Sequence, residues 1–154
     1  MIRKAKKEDV LEIDYLGYLF NKEIQNNSPL NKLKSIKYIK PKRIILSSFY
    51  SYFLKNNKIF VVVENDEIVG FISGRILLQK GKKVGKYGKL DDLYVIKKFR
   101  KKGYATKLVK NLLKWFKKNN CKYVVLFASP GKPIQKYYEK IGFKINYNYM
   151  CKKL

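Results

Sequence analysis

The chain has 154 residues, 46% hydrophobic and 15% aromatic, enough for one domain with its own core. Its 36 Lys and Arg against 11 Asp and Glu give a formal charge of +25, a field that draws nucleic acid, anionic surfaces and phosphorylated cofactors. The lack of histidine, of paired cysteines (Cys121 and Cys151 are far apart) and of any membrane-length apolar run argues against a zinc site, a disulfide framework and a membrane span.

Only four of the basic residues are arginine (Arg3, Arg43, Arg75 and Arg100), and the lysines are spread along the whole chain. Most therefore read as solvated surface, with no more than weak nonspecific attraction for nucleic acid. The opening Met1–Ala5 has no apolar stretch of the signal-peptide kind, so a cytoplasmic, reducing location is expected.

Residues 2–6 alternate weakly and suit an edge strand. Val10, Leu11, Tyr15, Leu16, Leu19 and Phe20 follow a helical stripe, with Asp9 and Glu12 spaced as a capping box. Asn26-Asn27-Ser28-Pro29 ends that helix. Residues 30–42 read as loop or short helix and 43–55 as a second helix. Ile59–Val63 is a buried strand by its β-branched run, Asn65-Asp66 a tight turn, and Ile68–Leu78 the returning arm of a hairpin. Gly81, Gly85 and Gly88 mark a loop before a strand from Tyr87 to Ile96, which carries Asp91 and Asp92 on opposite faces by strand alternation.

The chain turns there at Arg100-Lys101-Lys102-Gly103-Tyr104-Ala105, and the apolar spacing changes from strand to helix: Ala105, Leu108, Val109, Leu112, Leu113, Phe116. A basic, glycine-containing turn that opens a helix offers unpaired amides at a positive dipole end, an anion site suited to phosphate. The helix ends near Asn119-Asn120. Tyr123–Phe127 is an all-apolar strand suited to a sheet centre. Pro133 starts a last helix with Ile134, Tyr137, Tyr138 and Ile141 on its apolar face, Gly142 closes it, and 145–150 suit a final strand.

Arg100-Lys101-Lys102-Gly103-Tyr104-Ala105 after Leu93-Tyr94-Val95 resembles the acetyl-CoA-binding motif of the GNAT family of N-acetyltransferases. The opening Ile-Arg-x-Ala-x-x-Glu-Asp, Val69-Gly70-Phe71-Ile72 and Tyr138-Glu139-Lys140-Ile141-Gly142-Phe143 extend the resemblance over nearly the whole chain. It implies an α/β (α+β) fold in one domain over residues 1–154: a mixed, mostly antiparallel sheet with splayed middle strands and flanking helices. It also implies that acetyl-CoA lies in the splay. Main-chain atoms of Leu93, Tyr94 and Val95 would hold the pantetheine arm as an added strand would. Arg100 and the amides of Lys101, Lys102, Gly103, Tyr104, Ala105 and Thr106 would wrap the diphosphate.

The implied activity is transfer of acetyl to a primary amine, of a small molecule, a polyamine or a protein, by direct attack in a ternary complex. Tyr138 matches the family's general acid, and the other reading is that it only packs. Asp91 matches a family carboxylate that acts as base or orders a water, and Asp92 is assigned to substrate binding. The other reading of Asp91 is a salt bridge, and flanking lysines would weaken it as a base. Glu8, Asp9, Glu12, Asp14 and Glu23 lie in the first helix, which borders the acceptor channel in the family. Gly131 and Leu126-Phe127-Ala128 depart from family patterns and argue against acetylation of protein N-termini. A monomer or homodimer is expected. The rival reading is a non-catalytic CoA-binding or RNA-associated module on the same fold, favoured by the charge.

Overall fold

A computed structural model describes residues 1–26, 49–79, 85–128 and 133–146. In order these form β1 (Ile2–Lys4), α1 (Val10–Asn26), β2 (Asn57–Glu64), β3 (Glu67–Gln79), β4 (Gly85–Val95), α2 (Tyr104–Lys118), β5 (Val124–Val125) and α3 (Pro133–Lys140). Short 3-10 turns stand at Lys7–Asp9, Tyr50–Phe53 and Lys97–Phe99. The sheet runs β1-β2-β3-β4-β5, antiparallel except for β4 with β5. No helix among the described residues is long and apolar enough to cross a membrane.

Strand alternation divides the core between two faces. Val61, Phe71 and Tyr94 meet Ile13 and Leu16 of α1, with Phe49. Phe60, Val62, Val69, Ile72, Leu90 and Val95 meet Leu108, Val109, Leu112 and Phe116 of α2, with Tyr138 of α3. Those four α2 side chains belong to the six-residue helical stripe read from the sequence; Ala105 and Leu113 are partly buried beside them. Each of the four is essentially dry, and each contributes about 1.5–3 kcal/mol by leaving water. Phe116 lies so near the sheet that a Cβ on Gly88 would fall 2.6 Å from its ring, and one on Gly74 2.9 Å from it.

The hairpin forms as expected, with Asn65 and Asp66 both left-handed at φ 49° and 63°. Five details differ from the sequence reading. Asp9 does not pair with Glu12 in a capping box. It accepts the Lys6 amide at 2.6 Å and both ends of the Arg3 guanidinium at 2.6 and 2.9 Å, while Glu12 accepts the Ile68 amide at 3.0 Å. Of the helix expected over 43–55, residues 43–48 lie outside the described residues, and the rest is the single turn Tyr50–Phe53, because Asn57 already enters β2. Gly88 belongs to β4, beneath Phe116, and not to a loop.

The strand expected over Tyr123–Phe127 pairs with β4 at only two positions, Gly88 with Val124 and Lys89 with Val125. Among the described residues it stands at the sheet edge, not the centre, and the Phe127 side chain is 80% exposed. Residues 145 and 146 form no strand, and 147–150 lie outside the described residues. Among the described residues, the separation of the two strands beyond Lys89 leaves the last six residues of β4 without a partner on that side. That is the splay which the resemblance implies.

Candidate active site

The open edge of β4 can be read residue by residue. The Ile96 amide donates to the Val69 carbonyl at 3.0 Å. Antiparallel partners alternate between pairs that exchange hydrogen bonds and pairs that do not, so Tyr94 bonds toward β3 while Leu93 and Val95 turn N–H and C=O to the open side. The Val95 carbonyl is taken by the Arg100 side chain, Nε to O 2.8 Å. The main chain of Leu93 and the Val95 amide face the gap.

Beyond the strand, Arg100 closes the turn Lys97–Phe99, and Lys101 enters the left-handed region at φ 64°. Gly103 does so again at φ 76°, ψ 5°, just before the first residue of α2. The first helical hydrogen bond returns from the Lys107 amide to the Gly103 carbonyl at 3.1 Å. The six amides from Lys101 to Thr106 therefore have no partner among the described residues. A run of unpaired donors bent through left-handed residues at a helix start is a concave anion site. Glycine suits position 103 for its backbone angle, and no atom stands within 4 Å of where a Cβ would be. Glu64, at the end of β2, accepts Lys102 Nζ at 3.1 Å and the Tyr104 hydroxyl on the turn's rim. Tyr104 first, then Lys102, holds the Glu64 carboxyl below its ordinary pKa.

The two aspartates stand differently from the expectation that they face opposite ways. In the β3–β4 ladder Ser73 pairs with Asp92, but Gly74 pairs with Leu90. Asp91 is thus the extra residue of a β-bulge, which breaks the alternation and turns both carboxylates to the α1 face. Asp91 accepts Arg75 Nε at 2.8 Å and Nη2 at 2.9 Å, with Lys89 Nζ at 3.3 Å, and its side chain is 7% exposed. Asp92 Oδ2 accepts the Ser73 hydroxyl at 2.8 Å, and the Asp92 amide donates to Ser73 Oγ at 3.2 Å. Burial, more than the neighbouring Asp91, pushes the Asp92 carboxyl above its ordinary pKa. The Tyr52 hydroxyl faces Ser73 and Asp91, and burial raises its pKa too.

Tyr138 is 5% exposed and lies in the apolar cluster that contains Val95, on the opposite face from Asp92. Burial holds its phenol protonated well above the ordinary range. The Phe143 amide returns to the Tyr138 carbonyl at 3.0 Å through left-handed Gly142 (φ 97°), and the Phe143 ring meets Tyr138 edge-on at 5.5 Å. The helix end expected from the sequence thus fixes the tyrosine ring.

Residues 29–143 match the model of the acetyltransferase (GNAT) family. The chain belongs to the GNAT acetyltransferase family. Solved structures share its fold. One is an acetyltransferase from Vibrio fischeri, 24% identical over 82% of this chain and 93% of that one, with a TM-score of 0.64. A transcriptional regulator from Bacillus halodurans is 20% identical over 100% and 99%, TM-score 0.75. An aminoglycoside N-acetyltransferase, AAC(6')-Iy, in complex with CoA, is 16% identical over 100% and 98%, TM-score 0.65. No curated protein sequence matches the chain.

Like the rest of the GNAT family, the protein uses acetyl-CoA, and its residues fit that molecule. The open edge of β4 suits an extended amide-bearing arm, and the amides of residues 101–106 suit a diphosphate. Leu93, Val95 and the turn lie along one continuous edge, whereas the Tyr94 main chain, expected to hold the arm too, is spent on β3. The Arg100 guanidinium is engaged elsewhere, with Val95 and Glu23. The acids expected of the first helix do not gather into one pocket: Asp9, in the turn before α1, and Glu12 and Glu23 within it are engaged with Arg3, Ile68 and Arg100. Sequence reasoning missed Ser73, Arg75 and Glu64. Nothing in the sequence marks the bulge at Asp91 that gathers the first two.

Proposed function

We propose that this GNAT acetyltransferase is an N-acetyltransferase that passes acetyl from acetyl-CoA directly to a primary amine while both are bound. The observation that carries the reading is the continuity of the open β4 edge with six unpaired amides, flanked by a carboxylate on one sheet face and a phenol on the other. Acetyl-CoA supplies the activated acetyl group. The chain binds its diphosphate at 101–106, pairs its arm with Leu93, and offers the Val95 amide to the oxygen on which negative charge develops.

Because the strands part, the gap is reached from both faces. Asp92, three residues before Val95, receives the acceptor's proton, directly or through one water. Its burial makes it a good proton acceptor, whereas Asp91 is committed to its ion pairs with Arg75 and Lys89. Asp91 orders Arg75 and Lys89 beside it. Tyr138, from the α2 face, returns a proton to the leaving sulfur. The acceptor amine arrives as a cation, and the acidic pair on β4 supports its entry against the chain's overall charge.

Calorimetric titration with acetyl-CoA and CoA, followed by a panel of primary amines with labelled acetyl-CoA, tests the reading. Saturable binding and label on at least one amine are expected. Absence of saturable binding at moderate salt would end the proposal. Binding without transfer to any amine would favour the non-catalytic module.

A further inference from the structure

The Arg100 side chain makes its contacts away from the turn it belongs to. Its Nε donates to the Val95 carbonyl at 2.8 Å. Its two terminal nitrogens grip Glu23, Nη1 to Oε1 at 2.8 Å and Nη2 to Oε2 at 2.7 Å. Its plane lies over the Tyr94 ring, 5.5 Å from the centre. A bidentate guanidinium–carboxylate pair is directional, and a lysine cannot reproduce the fork. Val95 ends β4, Arg100 immediately precedes the unpaired amides, and Glu23 lies in the last turns of α1. One side chain thus ties together the strand end, the anion turn and the helix on the other sheet face.

We propose that Arg100 and Glu23 are a positioning pair: they hold the Val95 peptide at a set distance from the diphosphate turn and lock both to α1. The proposal rests on the acetyl-transfer reading and adds two residues that touch neither reactant. The Val95 carbonyl faces the gap, as its amide does. With Arg100 on it, that carbonyl no longer competes as an acceptor, and the orientation of the neighbouring amide is fixed. Small misplacements of a donor toward a reacting oxygen cost rate far more than they cost affinity. The pair should therefore act on turnover, while the amides of 101–106 keep the cofactor.

The test uses the full chain with Arg100→Lys, Glu23→Gln and the double variant. Turnover is measured with the best amine from the panel, CoA affinity by calorimetry, and hydrogen exchange across residues 94–100. Each single change is expected to lower kcat about tenfold with the CoA Kd changed less than threefold. The double variant should be no worse than the worse single one, because the two residues act through one contact. Exchange across 94–100 should speed up in all three, with or without CoA.

A wild-type kcat in Glu23→Gln would overturn the proposal. So would a CoA Kd weakened more than tenfold by Arg100→Lys alone, which would make Arg100 a phosphate ligand. If the unaltered protein bound no CoA, the functional reading would fall. The exchange measurement would still decide whether the pair holds the strand end: unchanged exchange in folded variants sinks it.

Discussion

Asp91 and Asp92 are neighbours in sequence, on the same face, and in opposite electrostatic positions. Asp92 is buried with one hydroxyl donor, and its folded-state pKa lies above the unfolded value. The folded chain then holds that proton more tightly than the unfolded chain. The stability contributed is full below the unfolded pKa and is lost as pH rises through the raised one. Once charged, a buried Asp92 lowers stability, a cost consistent with the proton-accepting role proposed for it. Asp92→Asn should lower kcat about 10²-fold and raise the melting temperature by a few degrees, read by the amine assay and by thermal melts at pH 7. Asp91→Asn should do the reverse to stability, costing about 1–2 kcal/mol because Arg75 and Lys89 lose their carboxylate. Tyr138→Phe keeps the ring against Phe143 and removes only the proton. A drop in kcat near 10²-fold with unchanged CoA affinity is expected, and full activity would leave Tyr138 a packing residue.

At the scale of elements, α2 decides where the turn at 101–106 sits. Its dry stripe presses onto β2, β3 and β4, and Phe116 settles where Gly74 and Gly88 leave room. A methyl group at position 88 overlaps that ring, so Gly88→Ala should destabilise the protein by about 1–3 kcal/mol in denaturant melts. The buried stripe of α2 was legible in the sequence because its 3.6-residue period is strong over fifteen residues, but its seat on Gly88 was not. The turn at 100–105 was legible for a related reason: basic residues, a glycine and a change of period coincide there. The α3 ending was equally plain from Gly142 and Phe143. The pairing length of β5 was not legible, since an apolar run does not say how far its neighbour follows it. Nor was the bulge at Asp91, where one unpaired residue reverses a face without changing composition. The fate of the α1 acids also depended on contacts distant in sequence, such as Glu12 with Ile68 and Glu23 with Arg100.

Across the whole molecule the charge of +25 is distributed unevenly over the described surface. The outer side of α2 carries Lys107, Lys110, Lys114, Lys117 and Lys118, all exposed, and the helix contains no acid. Those residues and the turn's own lysines should make acetyl-CoA affinity fall severalfold between low and high salt, measured by titration at a series of ionic strengths. RNA should bind with a steeper salt slope and no sequence preference. A sheet that stops pairing halfway along a strand also has a colloidal consequence. The rim from Leu90 to Val95, unpaired among the described residues, is a template on which a second polypeptide can dock, and mutual repulsion between such cationic molecules opposes that docking. Shielded by concentrated salt, ligand-free material should clump, as light scattering would register, while material saturated with CoA should stay dispersed because its ligand covers the rim.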